Sequence, residues 1–158
     1  MSKLAALTVL TLLAGCGFQL QGAFTTPTEM ERTYIAAADE RSLFYRELRA
    51  ALEASGVQLV DSASDATATM TISIDETDQR VLSVSARNVP TEYEVYYTVE
   101  YGLYGSENDL LEVQMLTLTR DYTYDSTLVL GKAREEELLR EAIVDDLVRV
   151  VLKQISTL

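Results

Sequence analysis

The chain predicts an α+β fold, a two-layer sandwich in which two helices pack on one face of a mostly antiparallel mixed sheet of about four strands. Three observations lead there. Long segments between residues 69 and 124 alternate apolar and polar residues with a period of two. One segment on each side of them repeats apolar residues at helical spacing. Clusters of turn-forming residues punctuate the strands.

Residues 17–28 contain Gly and Pro27 without a clear period and read as a tether. The domain reading is a leader over 1–15, a tether over 16–32 and one domain over 33–158. Thr33-Tyr34-Ile35-Ala36-Ala37 is a short β-rich run. Asp39 or Ser42 can cap the helix that follows, where Phe44, Leu48, Ala51 and Leu52 share a face. Ser55-Gly56 ends it, with Gly suited to the position just past the helix. Val57-Gln58-Leu59-Val60 is a short strand.

Met70, Ile72 and Ile74 then alternate with Thr69, Thr71, Ser73 and Asp75. Leu82, Val84 and Ala86 keep the same parity, so one long or bent strand is expected. Asn88-Val89-Pro90-Thr91 reads as a turn. The next strand carries Tyr93, Val95, Tyr97, Val99, Tyr101 and Leu103 on one face, with Glu92, Glu94, Thr98 and Glu100 on the other. After a turn at residues 105–109, a strand runs over about 110–124. There Val113 and Met115 face one way and Leu116 and Leu118 the other, which implies a bulge or apolar contact on both faces. A helix over about 132–155 closes the chain. Val144, Leu147, Val148, Val151 and Ile155 form its stripe; Glu135, Glu136 and Glu137 sit near its positive end, and Arg149 and Lys153 near its negative end.

The first residues carry their own message. Lys3 precedes an apolar run over residues 4–13, too short for a spanning helix, which needs about 20 residues. The run ends in Leu13-Ala14-Gly15-Cys16, small residues before the lone cysteine. This resembles the lipobox of bacterial lipoproteins. The resemblance implies cleavage before Cys16, a diacylglycerol on its thiol and acylation of the new amine, with no other cofactor. Each buried CH₂ of such chains contributes about 0.8 kcal/mol to membrane anchoring. An ordinary secretory leader with an incidental cysteine is the alternative, but it leaves an unpaired reactive thiol on an exported chain. Gly17 follows where Asp would favour inner-membrane retention by resemblance to lipoprotein sorting, so the outer membrane is expected.

Charge and missing residue types narrow the function. The chain has 25 acidic against 13 basic residues, of which only Lys3 lies in the leader. So acidic a chain argues against nucleic acid and against electrostatic adhesion to an anionic bilayer. It has no histidine, and its single cysteine is assigned to the lipid. Ser/His and Cys/His nucleophile pairs and His-based metal sites are therefore unavailable. No Gly-rich phosphate loop or EF-hand spacing appears. A lipid-anchored hydrolase using paired carboxylates stays as an alternative, although no pocket signature accompanies the acids.

Cys16-Gly17-Phe18-Gln19-Leu20, Ser55-Gly56-Val57-Gln58-Leu59-Val60, and Thr119-Arg120-Asp121-Tyr122-Thr123-Tyr124-Asp125 followed by Val129-Leu130-Gly131-Lys132 and Glu135-Glu136-Glu137 occur in that order. Together they resemble the LPS-assembly lipoprotein (LptE) family over nearly the whole mature chain. Gln19 and Gln21 depart from the His and Arg common in relatives, and the chain ends soon after the last helix. The resemblance implies a non-enzymatic outer-membrane lipoprotein, lipid-anchored, within the barrel lumen or facing the periplasm. It implies that the protein plugs and helps assemble the LptD β-barrel and binds lipopolysaccharide during delivery to the outer leaflet. A generic periplasm-facing lipoprotein, acting as a structural or adaptor subunit of another envelope complex, is the alternative.

Tracing strand directions puts Arg87 and Lys132 at one end of the domain, where two cations can meet lipid A phosphates. The family resemblance implies lipopolysaccharide contact at the same two positions. The plainer reading pairs Lys132 with Glu135 or Glu136 and Arg87 with a strand acid. Tyr93, Tyr97 and Tyr101 share parity with the core valines. Tyr96, Tyr104, Tyr122 and Tyr124 are expected outside the core, either at a barrel interface or on ordinary surface.

Overall fold

The computed structural model describes residues 24–124 and 129–158, with backbone alone for 129–132. Five strands form one sheet in the order β2-β1-β3-β4-β5. They are β1 (Arg32–Ala37), β2 (Gln58–Leu59), β3 (Ala68–Val84), β4 (Pro90–Gly105) and β5 (Asp109–Thr123). Two helices, α1 (Leu43–Ala54) and α2 (Val129–Ile155), cover one face. The α+β expectation holds, with one strand more than about four. The short strand expected over residues 57–60 is β2, whose two residues run parallel to β1 at the sheet edge.

Both ends of α1 follow from local chemistry. Ser42, not Asp39, is the N-cap: its Oγ accepts from the Tyr45 N–H at 3.0 Å. Asp39 instead accepts from the Arg41 N–H at 2.9 Å in the preceding turn. At the other end Gly56 takes φ +90°. Its N–H bonds the Glu53 carbonyl at 3.0 Å, and the Val57 N–H bonds the Leu52 carbonyl at 3.1 Å. This is a Schellman closure, sealed by the buried side chains of Leu52 and Val57.

The core lies between the sheet and the two helices. Phe44, Leu48 and Leu52 of α1 and Ile143, Val144, Leu147, Val151 and Ile155 of α2 meet Val95, Tyr97, Val99, Tyr101 and Leu103 of β4. The regular alternation of β4 therefore survives as its buried face. Leu138 and Val150 of α2 point away and are exposed.

Bulges change the expected phase of β3. The register passes from Ile72↔Tyr101 to Ile74↔Glu100, two residues against one. Beyond that point odd-numbered residues of β3 face the helices, and Ile74 pairs with Glu100 on the outer face. A second shift between Val81 and Ser83 takes Leu82 out of register. The strand is thus continuous, but Leu82 and Val84 do not continue the buried face of Met70 and Ile72. The bulge expected in β5 falls where the register steps from Tyr101↔Gln114 to Leu103↔Leu111. It puts Leu116 and Leu118 against the core and leaves Val113 and Met115 exposed.

Candidate functional site

The first consequence of the β3 bulge is polar. It turns Asp75 toward the helices, where it meets the start of α1. Tyr97 donates its hydroxyl to Asp75 Oδ1 at 2.6 Å, and the Ser42 hydroxyl donates to Asp75 Oδ2. The Phe44 N–H in turn reaches the Tyr97 oxygen at 3.4 Å. Burial, followed by the hydrogen bond to Asp75, drives the Tyr97 phenol well above its ordinary pKa. This cluster fixes helix to sheet and was not read from the sequence; a lone Asp in an alternating run looks like solvated surface.

The second consequence is a bare end. A helix of 12 residues spans about 18 Å, whereas a strand of 17 residues spans about 56 Å. Since α1 begins beside Asp75, the outer half of β3 extends past it. Val81, Leu82, Val84 and Val89 stand exposed around the β3–β4 hairpin. The turn closes through Ser85 N–H to Val89 carbonyl at 2.8 Å and Asn88 N–H to Ser85 carbonyl at 2.9 Å, with Asn88 at φ 60°. Arg87 sits exposed at its tip and makes no ion pair among the described residues.

α2 begins at this same end, because Glu92 pairs with Thr123 and the Tyr124 N–H bonds the Thr91 carbonyl at 2.8 Å. The backbone of Lys132 therefore falls in the first turns of α2 at the Arg87 end; its side chain lies outside the described residues, as does the whole of Cys16. Beneath the tip is a hollow of about 330 Å³ lined by Leu82, Glu92, Asp121, Tyr122, Thr123 and Glu135. Three of these residues, Glu92, Asp121 and Glu135, carry carboxylates, and Glu92 accepts from the Ser83 hydroxyl at 2.8 Å.

The four tyrosines proposed for an interface divide. Tyr122 is corrected: it is 8% exposed, stacks on Tyr93 at 5.7 Å and donates to Gln79 Oε1 at 2.9 Å. The β5 bulge shifted its parity to the helix side. Burial and then nearby Glu136 raise its pKa. Tyr124 is half-buried, edge-on to Tyr93 at 5.4 Å. Tyr96 is half-buried on the outer face with the Arg80 guanidinium 5.9 Å from its ring centre; Arg80 also pairs with Glu94. Tyr104 lays its ring over Gly102, where an added Cβ would come within 3.1 Å of the phenol oxygen. Tyr96 and Tyr104 remain available on the open face.

Among the described residues no group of three or more His, Cys, Asp or Glu is placed to hold a metal ion. No helix there is long and apolar enough to cross a membrane. The described residues thus define a structural class: a two-layer α+β domain with one sheet face left open by the helices and an exposed, unpaired cation on a hairpin that also exposes apolar side chains.

The family match gives that class a more specific place. The family described as "LptE: Lipopolysaccharide-assembly" matches residues 30–155, and the chain belongs to it. An LPS-assembly lipoprotein LptE from Yersinia pestis (strain Pestoides F) is 25% identical over 145 residues, covering 91% of this chain and 70% of that protein. The solution structure of lipoprotein B from Nitrosomonas europaea superposes with a TM-score of 0.73 at 29% identity, over 89% of this chain and 90% of that one. The rare lipoprotein B from Shewanella oneidensis shares the fold, with a TM-score of 0.69 at 24% identity over 80% of this chain and 94% of that one.

Proposed function

We propose that this chain is a non-catalytic outer-membrane lipoprotein, held by acyl chains on Cys16, that takes part in lipopolysaccharide transport. In this reading it plugs and helps assemble an LptD-type β-barrel, and it binds lipopolysaccharide through Arg87 and Lys132 during delivery to the outer leaflet. Membership of the LptE family supports the transport role.

One observation supports the ligand assignment best. In a chain of net charge −12, Arg87 is left without an ion pair among the described residues, on a hairpin that also exposes Val81, Leu82, Val84 and Val89. A phosphate beside acyl chains is the complement of a guanidinium beside exposed valines and leucine. Tyr96 and Tyr104 on the open sheet face are the contact candidates for the barrel wall, and Tyr124 adds a partly covered ring at the Arg87 end.

The test is a lipopolysaccharide-binding measurement on Arg87→Glu with Lys132→Glu, beside a mild-detergent purification. The reading expects weakened lipopolysaccharide binding by a folded double variant that still co-purifies with a large β-barrel. Unchanged affinity removes the site assignment. Recovery of the wild-type protein free of any barrel, from membranes whose barrel is intact, removes the partner.

A further inference from the structure

Asn88 has φ 60°, the one positive value among the described residues other than glycine, and it stands directly after Arg87. Most side chains avoid this left-handed region because Cβ crowds the next carbonyl; Asn tolerates it. The shape of the hairpin tip explains why the chain enters it here.

Three hydrogen bonds define the tip. The Asn88 N–H donates to the Ser85 carbonyl at 2.9 Å, and the Ser85 N–H donates to the Val89 carbonyl at 2.8 Å. The Val89 N–H donates to Ser85 Oγ at 3.2 Å. Residues 86–88 thus form a three-residue hairpin loop, a turn over Ser85–Asn88 whose last member is left-handed. Paired strands twist right-handedly, and the left-handed residue brings Val89 back beside Ser85 in agreement with that twist. An extended residue at 88 would splay the strands and break the closing bonds.

Arg87 is the third of the four turn residues, so its backbone lies inside the closed loop while its side chain is exposed. The first two acids of β4 are engaged elsewhere: Glu92 accepts from the Ser83 hydroxyl at 2.8 Å, and Glu94 pairs with Arg80. The guanidinium therefore projects from a fixed tip. A fixed group loses less conformational freedom on binding than one whose loop must first be ordered.

We propose that Asn88 is a positioning residue: its left-handed backbone, with the Ser85 hydroxyl, holds the tip in the form that presents Arg87 to a phosphate of lipopolysaccharide. The inference rests on the ligand reading above and adds a residue that sets the strength of binding from outside the contact. Asn88 acts through the fraction of molecules whose tip is closed, and apparent affinity falls with that fraction.

The experiment titrates purified lipopolysaccharide against the full chain in mild detergent. The variants are Arg87→Ala, Asn88→Val, Asn88→Gly, and Arg87→Ala combined with Asn88→Val. A β-branched residue is the poorest fit to positive φ, so Asn88→Val should weaken binding about tenfold, and by no more than Arg87→Ala does. Gly takes φ 60° without a Cβ, and Asn88→Gly should stay within about threefold of wild type. The double variant should bind as Arg87→Ala alone does, because Asn88 acts only through Arg87; a general loss of structure would add to that loss instead. If Asn88→Val does not fold, Asn88→Ala takes its place in the same cycle. Wild-type affinity in the folded position-88 variant beside a weakened Arg87→Ala overturns the proposal alone. So does an Asn88→Gly loss as large as that variant's, or losses that add in the double variant. Wild-type affinity in Arg87→Ala removes the ligand reading itself, and the proposal with it.

Discussion

Replacing Tyr97 by Phe deletes one oxygen from the joint between α1 and the sheet. The ring is 3% exposed and Phe fills the same space, so the change isolates the hydroxyl. Two contacts go: the 2.6 Å bond to Asp75 and the longer approach of the Phe44 N–H at 3.4 Å. A hydrogen bond to a charged group contributes about 1.5–3 kcal/mol. The Ser42 hydroxyl still serves Asp75, so the carboxylate is not orphaned and the loss should be about 2 kcal/mol. For a domain of this size that lowers Tm by roughly 6–8 °C. Chemical denaturation with matched m-values measures the free energy, and amide exchange in α1 locates it. A variant within about 0.5 kcal/mol of wild type, with α1 amides as protected as before, would refute the idea that this hydroxyl ties helix to sheet.

Alkaline pH should destabilise the fold through the same ring and through Tyr101. Burial pushes the Tyr101 phenol up to about 12, and burial with Asp75 raises Tyr97 as well. Both folded values lie above the unfolded value near 10. Their contribution is complete below pH 10 and is lost as pH rises toward the folded values. Denaturation midpoints should fall from about pH 10 upward, less steeply in Tyr97→Phe; a flat profile there would contradict the linkage. Gly56→Ala meets no steric neighbour but must adopt φ +90°, so about 1 kcal/mol of destabilisation is expected in urea melts, and a neutral result would remove the strain argument. Leu147→Ala opens a cavity at a fully buried α2 position and should cost about 2–5 kcal/mol; thermal melts showing under about 1 kcal/mol would mean that α2 repacks freely.

Sequence alone decided whatever depends on neighbours along the chain. The Gly56 closure of α1 is set by φ, which is local, and local chemistry narrowed the cap to Asp39 or Ser42, between which the bond from the Tyr45 N–H decides. The buried face of β4 was legible because its alternation runs uninterrupted from Tyr93 to Leu103. The end shared by Arg87 and the start of α2 followed from counting strand reversals. Tertiary structure decided what depends on phase between strands. One extra residue near Ser73 turns Asp75 inward, and one near Val113 buries Tyr122, because a single added residue flips every later side chain to the other face. It also decided which apolar residues stay bare. Nothing local in Val81, Leu82 or Val84 says that α1 stops short of them; only the mismatch between a short helix and a long strand does. The strand order, with β1 parallel to both β2 and β3, likewise came from packing, since partner choice is settled where the faces meet rather than along the chain.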